Sequence, residues 1–176
     1  MRFVDFLRST VLLSAGAATA LAAVTVIAAE HASEPRPAVI SIGWWLLTTL
    51  AGLILGRRAA ATPAIARLLA MAKPTTTMPA HRPGLTLANR LWPLFVLTLV
   101  SGALAFLAPQ VPGIAAGVPI VLALYWRRQD AAVAAIEDRD GVRFYVEPAS
   151  PLRPMALERA PGFKALHPEG LGGAPG

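Results

Sequence analysis

LWPLFVLTLVSGALAFLAPQVPGIAAGVPIVLALYW, residues 91–126, runs for 36 residues without a charge. As one α-helix it would be about 54 Å long, against a bilayer hydrocarbon core of roughly 30 Å. The run Pro109-Gln-Val-Pro-Gly113 interrupts it near the middle. The expectation is two helices, 91–108 and 114–126, joined by a tight turn at 109–113. The second is short, so a thinned bilayer, an extension into water and a re-entrant hairpin all fit.

Two further uncharged runs lie upstream, at residues 11–29 and 38–56. The whole chain of 176 residues is 55% hydrophobic and only 15% charged, with a mean hydropathy of +0.55. Its charges sit in a few blocks, whereas a soluble domain spreads them over its surface. The bilayer is therefore the expected solvent, and the expected fold is an all-α integral membrane protein with four transmembrane helices in two hairpins. The absence of cysteine excludes disulfides, thiolate metal sites and a cysteine nucleophile. Abundant Ala, with Arg supplying most of the basic residues, is a usage associated with GC-rich bacterial genomes.

Charge sets the expected orientation. Arg2 and Arg8 precede the first run, and Arg57, Arg58, Arg67, Lys73, Arg82 and Arg90 lie between the second and third. Arg127, Arg128, Arg139, Arg143, Arg153, Arg159 and Lys164 follow the fourth. Four crossings place all of these on one side and leave only Arg36 on the other, so the positive-inside rule gives both termini to the cytoplasm of a bacterial inner membrane. The opening MRFVDFLR and the run after it resemble a signal peptide. At 19 residues, however, that run is longer than the usual 7–15 of a cleaved signal, which favours an uncleaved anchor. The resulting division is 1–10 cytoplasmic, 30–37 an outer loop, 57–90 a cytoplasmic loop and 127–176 a cytoplasmic tail.

Chemistry is sparse. The four runs contain no Asp, Glu, His, Lys or Arg, which argues against a proton-coupled transporter and a charge-based intramembrane protease. Their hydroxyls, such as Thr25, Ser41, Thr48 and Ser101, suit ordinary helix packing. Gly52 with Gly56 and Gly113 with Gly117 are GxxxG steps, expected to let helices of the same chain approach closely. Trp44, Trp45, Trp92 and Trp126 read as interfacial belts, and Pro93 as a first-turn proline. Glu30, His31 and Glu34 offer too few ligands for a zinc site, and Asp138-Arg-Asp140-Gly141 lacks the rest of a calcium loop. No metal or cofactor is expected.

The loop 57–90 holds six basic residues and no acidic one. Within it Thr62-Pro63 forms a helix start, and Ile65, Leu68, Leu69 and Ala72 make an apolar stripe over about 63–72. A short helix lying on the inner membrane surface is expected, with Arg57, Arg58, Arg67, Lys73, Arg90, Arg127 and Arg128 meeting anionic headgroups. The loop has no aromatic residue, and nucleic acid is not expected as a partner. Beyond Arg128 the helix continues toward Asp140-Gly141. Val142, Phe144 and Val146 then alternate with polar neighbours as in one short strand. One strand is not stable alone. The expected cover for its apolar face is the basic loop, the tail of a second copy, or a protein partner whose sheet it joins. Pro151–Pro154 forms a PxxP step, and the last dozen residues read as disordered.

The leading functional expectation is a non-enzymatic anchor or accessory subunit, engaging lipid or a partner through the loop and tail. The second is a small oligomeric transporter or channel. An enzyme ranks below both, since no nucleophile–base pair is spaced for catalysis.

Overall fold

The structure, a computed structural model, describes residues 1–31, 36–57, 61–75, 83–147 and 154–162. Of these, 75% are helical. The helices are α1 (Phe3–His31), α2 (Arg36–Leu55), α3 (Pro63–Ala70), α4 (Pro83–Leu104), α5 (Gln110–Ala115), α6 (Gly117–Trp126) and α7 (Gln129–Asp140). The strands are β1 (Lys73–Pro74), β2 (Val142–Val146) and β3 (Leu157–Pro161). Three helices, α1, α2 and α4, are long and apolar enough to cross a membrane.

Helix α1 has 29 residues, about 44 Å, so it exceeds the apolar run at 11–29 by two turns at its start. Those turns are encoded by Phe3, Phe6, Leu7 and Thr10, which recur at helical spacing and are buried. Helix α4 likewise begins at Pro83 rather than at 91 and ends at Leu104 rather than 108. Pro93 therefore lies inside it and not in its first turn.

The turn expected at 109–113 is largely helix. Pro112 is the third residue of α5 and Pro119 the third of α6, first-turn sites where a missing N–H breaks no bond. The chain instead reverses at 105–109, where Ala108 donates to the Leu104 carbonyl at 2.9 Å. The segment expected as one helix at 114–126 is divided at Ala116 into α5 and α6.

Helix α6 packs between α1 and α2, and α5 touches α1, α2 and α4. The two GxxxG steps lie on facing surfaces of this contact. A Cβ at Gly52 would sit 2.9 Å from the Leu124 Cβ, and one at Gly56 would collide with the Leu124 carbonyl. A Cβ at Gly113 would strike Ser41, and one at Gly117 the indole of Trp44. Where α5 gives way to α6, Trp45 donates its indole N–H to the Gly113 carbonyl at 2.7 Å, and Trp44 donates to Ile114 at 3.0 Å. In an unbroken helix these carbonyls would face the amides of Gly117 and Val118. The tryptophans tie two helices together here, beyond the interfacial role that their position suggests.

At one end of the bundle sits a polar cap with its own small core. The sheet order is β1-β3-β2, with β2 antiparallel and β1 parallel to β3. Helix α7 feeds β2 through Gly141, whose φ of 65° is the left-handed C-cap that glycine adopts at little cost.

Candidate functional site

The cap is built from four parts of the chain. Phe3, Val4, Phe6 and Leu7 of α1, Ile65 of α3 and Val133 of α7 form one buried cluster with Val142, Phe144, Val146 and Leu157. Burying these side chains supplies the main driving force of the cap, about 1.5–3 kcal/mol for each large one. The strand face Val142, Phe144 and Val146 is thus covered from within the chain, by the start of α1 and by α3. Both edges of β2 are also taken. On one side it pairs with β3; on the other, Val146 donates to the Met1 carbonyl at 3.0 Å and Arg2 bridges Tyr145. Among the described residues, β2 is left with no free edge for the sheet of a partner to join.

Helix α3 starts where Thr62 and Pro63 imply, with the Thr62 hydroxyl accepting from the Ile65 amide. Its apolar face packs against protein. Ile65 is 1% exposed, and Leu68, Leu69 and Ala72 pack against the same cluster. Apolar spacing reveals that a helix has a face to cover but does not distinguish protein from membrane as the cover.

Glu137 is the polar centre of the cap and is 1% exposed. Its Oε1 accepts the Phe144 amide at 2.9 Å, and its Oε2 accepts Arg2 at 2.8 Å and Arg143 at 3.0 Å. One carboxylate therefore joins the first residues of α1, the last turn of α7 and β2. The hydrogen bond to Glu137 raises the Arg143 pKa and keeps that guanidinium charged. On the surface nearby, Arg139 lowers the Asp140 pKa by direct hydrogen bonding. The buried Gln129 amide oxygen accepts the Thr62 amide at 3.0 Å, tying α7 to α3. Arg8 pairs with Asp130 at 3.0 Å, tying α1 to α7.

The basic residues expected at headgroups lie around this cap. Arg57, Arg67, Lys73, Arg127 and Arg128 are exposed. Arg128 donates to the Arg57 carbonyl at 3.2 Å, which places these two helix ends side by side. Arg90 is half-buried, and its guanidinium reaches the Pro154 carbonyl at 3.4 Å. Arg58 lies outside the described residues, as do Glu34, Arg82, Arg153, Lys164 and most of the PxxP step. Among the described residues no group of three or more His, Asp or Glu is placed to hold a metal.

Glu137 and Arg2 were not singled out by the sequence, because the pair is 135 residues apart. The start of α1 did carry a signal: Phe3, Phe6, Leu7 and Thr10 form a helical stripe within ten residues that their charges alone mark as a tail. Comparison with protein-family models, curated proteins and solved structures found no match.

Proposed function

We propose that this chain is a multi-pass bacterial inner-membrane protein of four crossings, with both ends cytoplasmic. In this reading it acts as a non-enzymatic anchor or accessory subunit whose cap rests on anionic headgroups. One observation carries the reading. The three segments that charge alone assigns to one side, residues 1–10, 57–90 and the tail, contribute to a single hydrophobic cluster. Geometry and charge are independent arguments, and both support two hairpins, α1 with α2 and α4 with α5 and α6. The exposed Arg57, Arg127 and Arg128 then stand where α2 and α6 leave the bilayer, at the depth of lipid phosphates.

The chain has no cysteine, so single-cysteine labelling tests this cleanly. In intact cells or spheroplasts, an impermeant maleimide should label His31→Cys directly and Arg139→Cys only after permeabilisation. Labelling of both from the same side would overturn the topology. For the headgroup role, the triple variant Arg57→Gln, Arg127→Gln, Arg128→Gln should lose the extra thermal stability that phosphatidylglycerol nanodiscs give over phosphatidylcholine ones. An unchanged difference would refute that role while leaving the topology standing.

A further inference from the structure

We propose that the cleft between α1 and the far end of α4 holds one hydrocarbon chain of an outer-leaflet phospholipid. The inference rests on the membrane-spanning reading above. The cleft has a volume of about 730 Å³, within the roughly 300–1,000 Å³ typical of small-molecule sites. Its walls are apolar: Val24, Ile27 and Ala28 on α1 face Leu99, Gly102 and Phe106. Thr98 also lines it, but its hydroxyl is spent on the Leu94 carbonyl at 2.8 Å. From Val24 to His31 the α1 wall rises about 10 Å, most of the depth of one leaflet of a hydrocarbon core of roughly 30 Å.

The medium decides the occupant. Both walls belong to helices apolar enough to cross a membrane, at the end remote from the cap. An apolar void stays dry, and its lining forfeits dispersion contacts until atoms fill it. What adjoins the opening is acyl chain. A chain seated here touches two walls, whereas a chain on the outer face of α2 touches one. His31 closes the outward end, and its Nδ1 donates to the Ile27 carbonyl at 2.8 Å. Phe106, 94% exposed, stands at the same mouth and covers the chain from the side.

Gly102 supplies the test, because a Cβ there would meet nothing within 4 Å. Gly102→Phe thus starts from a Cβ that meets no neighbouring element and adds a ring at the wall of the cleft, and in a helix it replaces the weakest former but proline. The full-length chain is reconstituted in phosphatidylethanolamine–phosphatidylglycerol vesicles containing a trace of phospholipid with a diazirine midway along one acyl chain. After irradiation, adducts are mapped by peptide mass spectrometry. Residues 24–28 and 99–105 should carry label in excess of Val39, Ile40 and Leu46, which are 66–68% exposed on α2. In Gly102→Phe this excess should disappear while the α2 label persists, which also reports that the variant is inserted and folded. Label spread in proportion to exposure, or an excess that survives Gly102→Phe, overturns the proposal. So do cross-links to a second copy at residues 24–28 in place of lipid adducts. No label on any helix would instead overturn the membrane-spanning reading itself.

Discussion

Glu137→Ala should open the cap while leaving the helices of the bundle in place. The substitution removes all three bonds that this buried carboxylate accepts. Loss of the acceptor for the Phe144 amide strands a buried donor, at about 1–3 kcal/mol. The two guanidinium bonds count for less, because the Arg2 and Arg143 side chains are 38% exposed and can turn to water. Screened pairs of that kind contribute about 0–1 kcal/mol each. The total is about 3 kcal/mol, or about a hundredfold in the opening equilibrium of the cap. Hydrogen exchange read by mass spectrometry in nanodiscs is the appropriate assay. Amides of 142–146 should exchange about a hundredfold faster than in wild type, together with those of the first turn of α1, while 94–104 stay protected. Glu137→Gln keeps an oxygen for the Phe144 amide and should cost about 1 kcal/mol. Unchanged protection of 142–146 in Glu137→Ala would refute the central role assigned to this residue.

Other expectations follow from the packing and the surface charges. Gly56→Ala should destabilise the bundle by about 1–3 kcal/mol, since its methyl meets the Leu124 backbone. Gly16→Ala, with nothing within 4 Å, should be neutral or stabilising, and thermal melts of both variants in detergent check the contrast. Trp45→Phe removes the donor to the Gly113 carbonyl and should cost about 1–3 kcal/mol. Trp92→Phe serves as the control, and equal melting temperatures for the two variants would refute the tie between α2 and α5. The lowered pKa of Asp140 stabilises the fold above its ordinary value of 3.8 and ceases to do so as pH falls through the lowered value. The small melting-temperature difference between wild type and Asp140→Asn should therefore shrink as pH drops below 3.8.

The apolar helices were legible because a bilayer demands a long uncharged run and tolerates little else. Their true starts were not. Outside the hydrocarbon a helix admits charges, so α1 reaches back past Arg8 and α4 past Arg90 without a long uncharged run to mark them, and only the stripe Phe3, Phe6, Leu7 and Thr10 signals the first of these extensions. Pro109, Pro112 and Pro119 look like helix breakers in a list of residues. In the fold, Pro112 and Pro119 open helices, and only the position of each start decides between the two meanings. β2 stands out through its alternation, while β3, LERAP, sits among prolines and is defined by its partner rather than its pattern. The candidate site was half visible. Its exposed basic rim follows from composition, but the pairing of Glu137 with Arg2 depends on a fold that brings distant ends of the chain together.

The cap also imposes an order on biosynthesis. Phe3 packs in the same cluster as Leu157, so a segment made early must wait for one made much later. At 5–20 residues per second, translating the intervening stretch takes roughly 8–30 s. During that interval Phe3, Phe6 and Leu7 have no cover from the tail. Some other cover must shield them until β2 and β3 emerge, and a chain truncated before residue 142 would never release that shield.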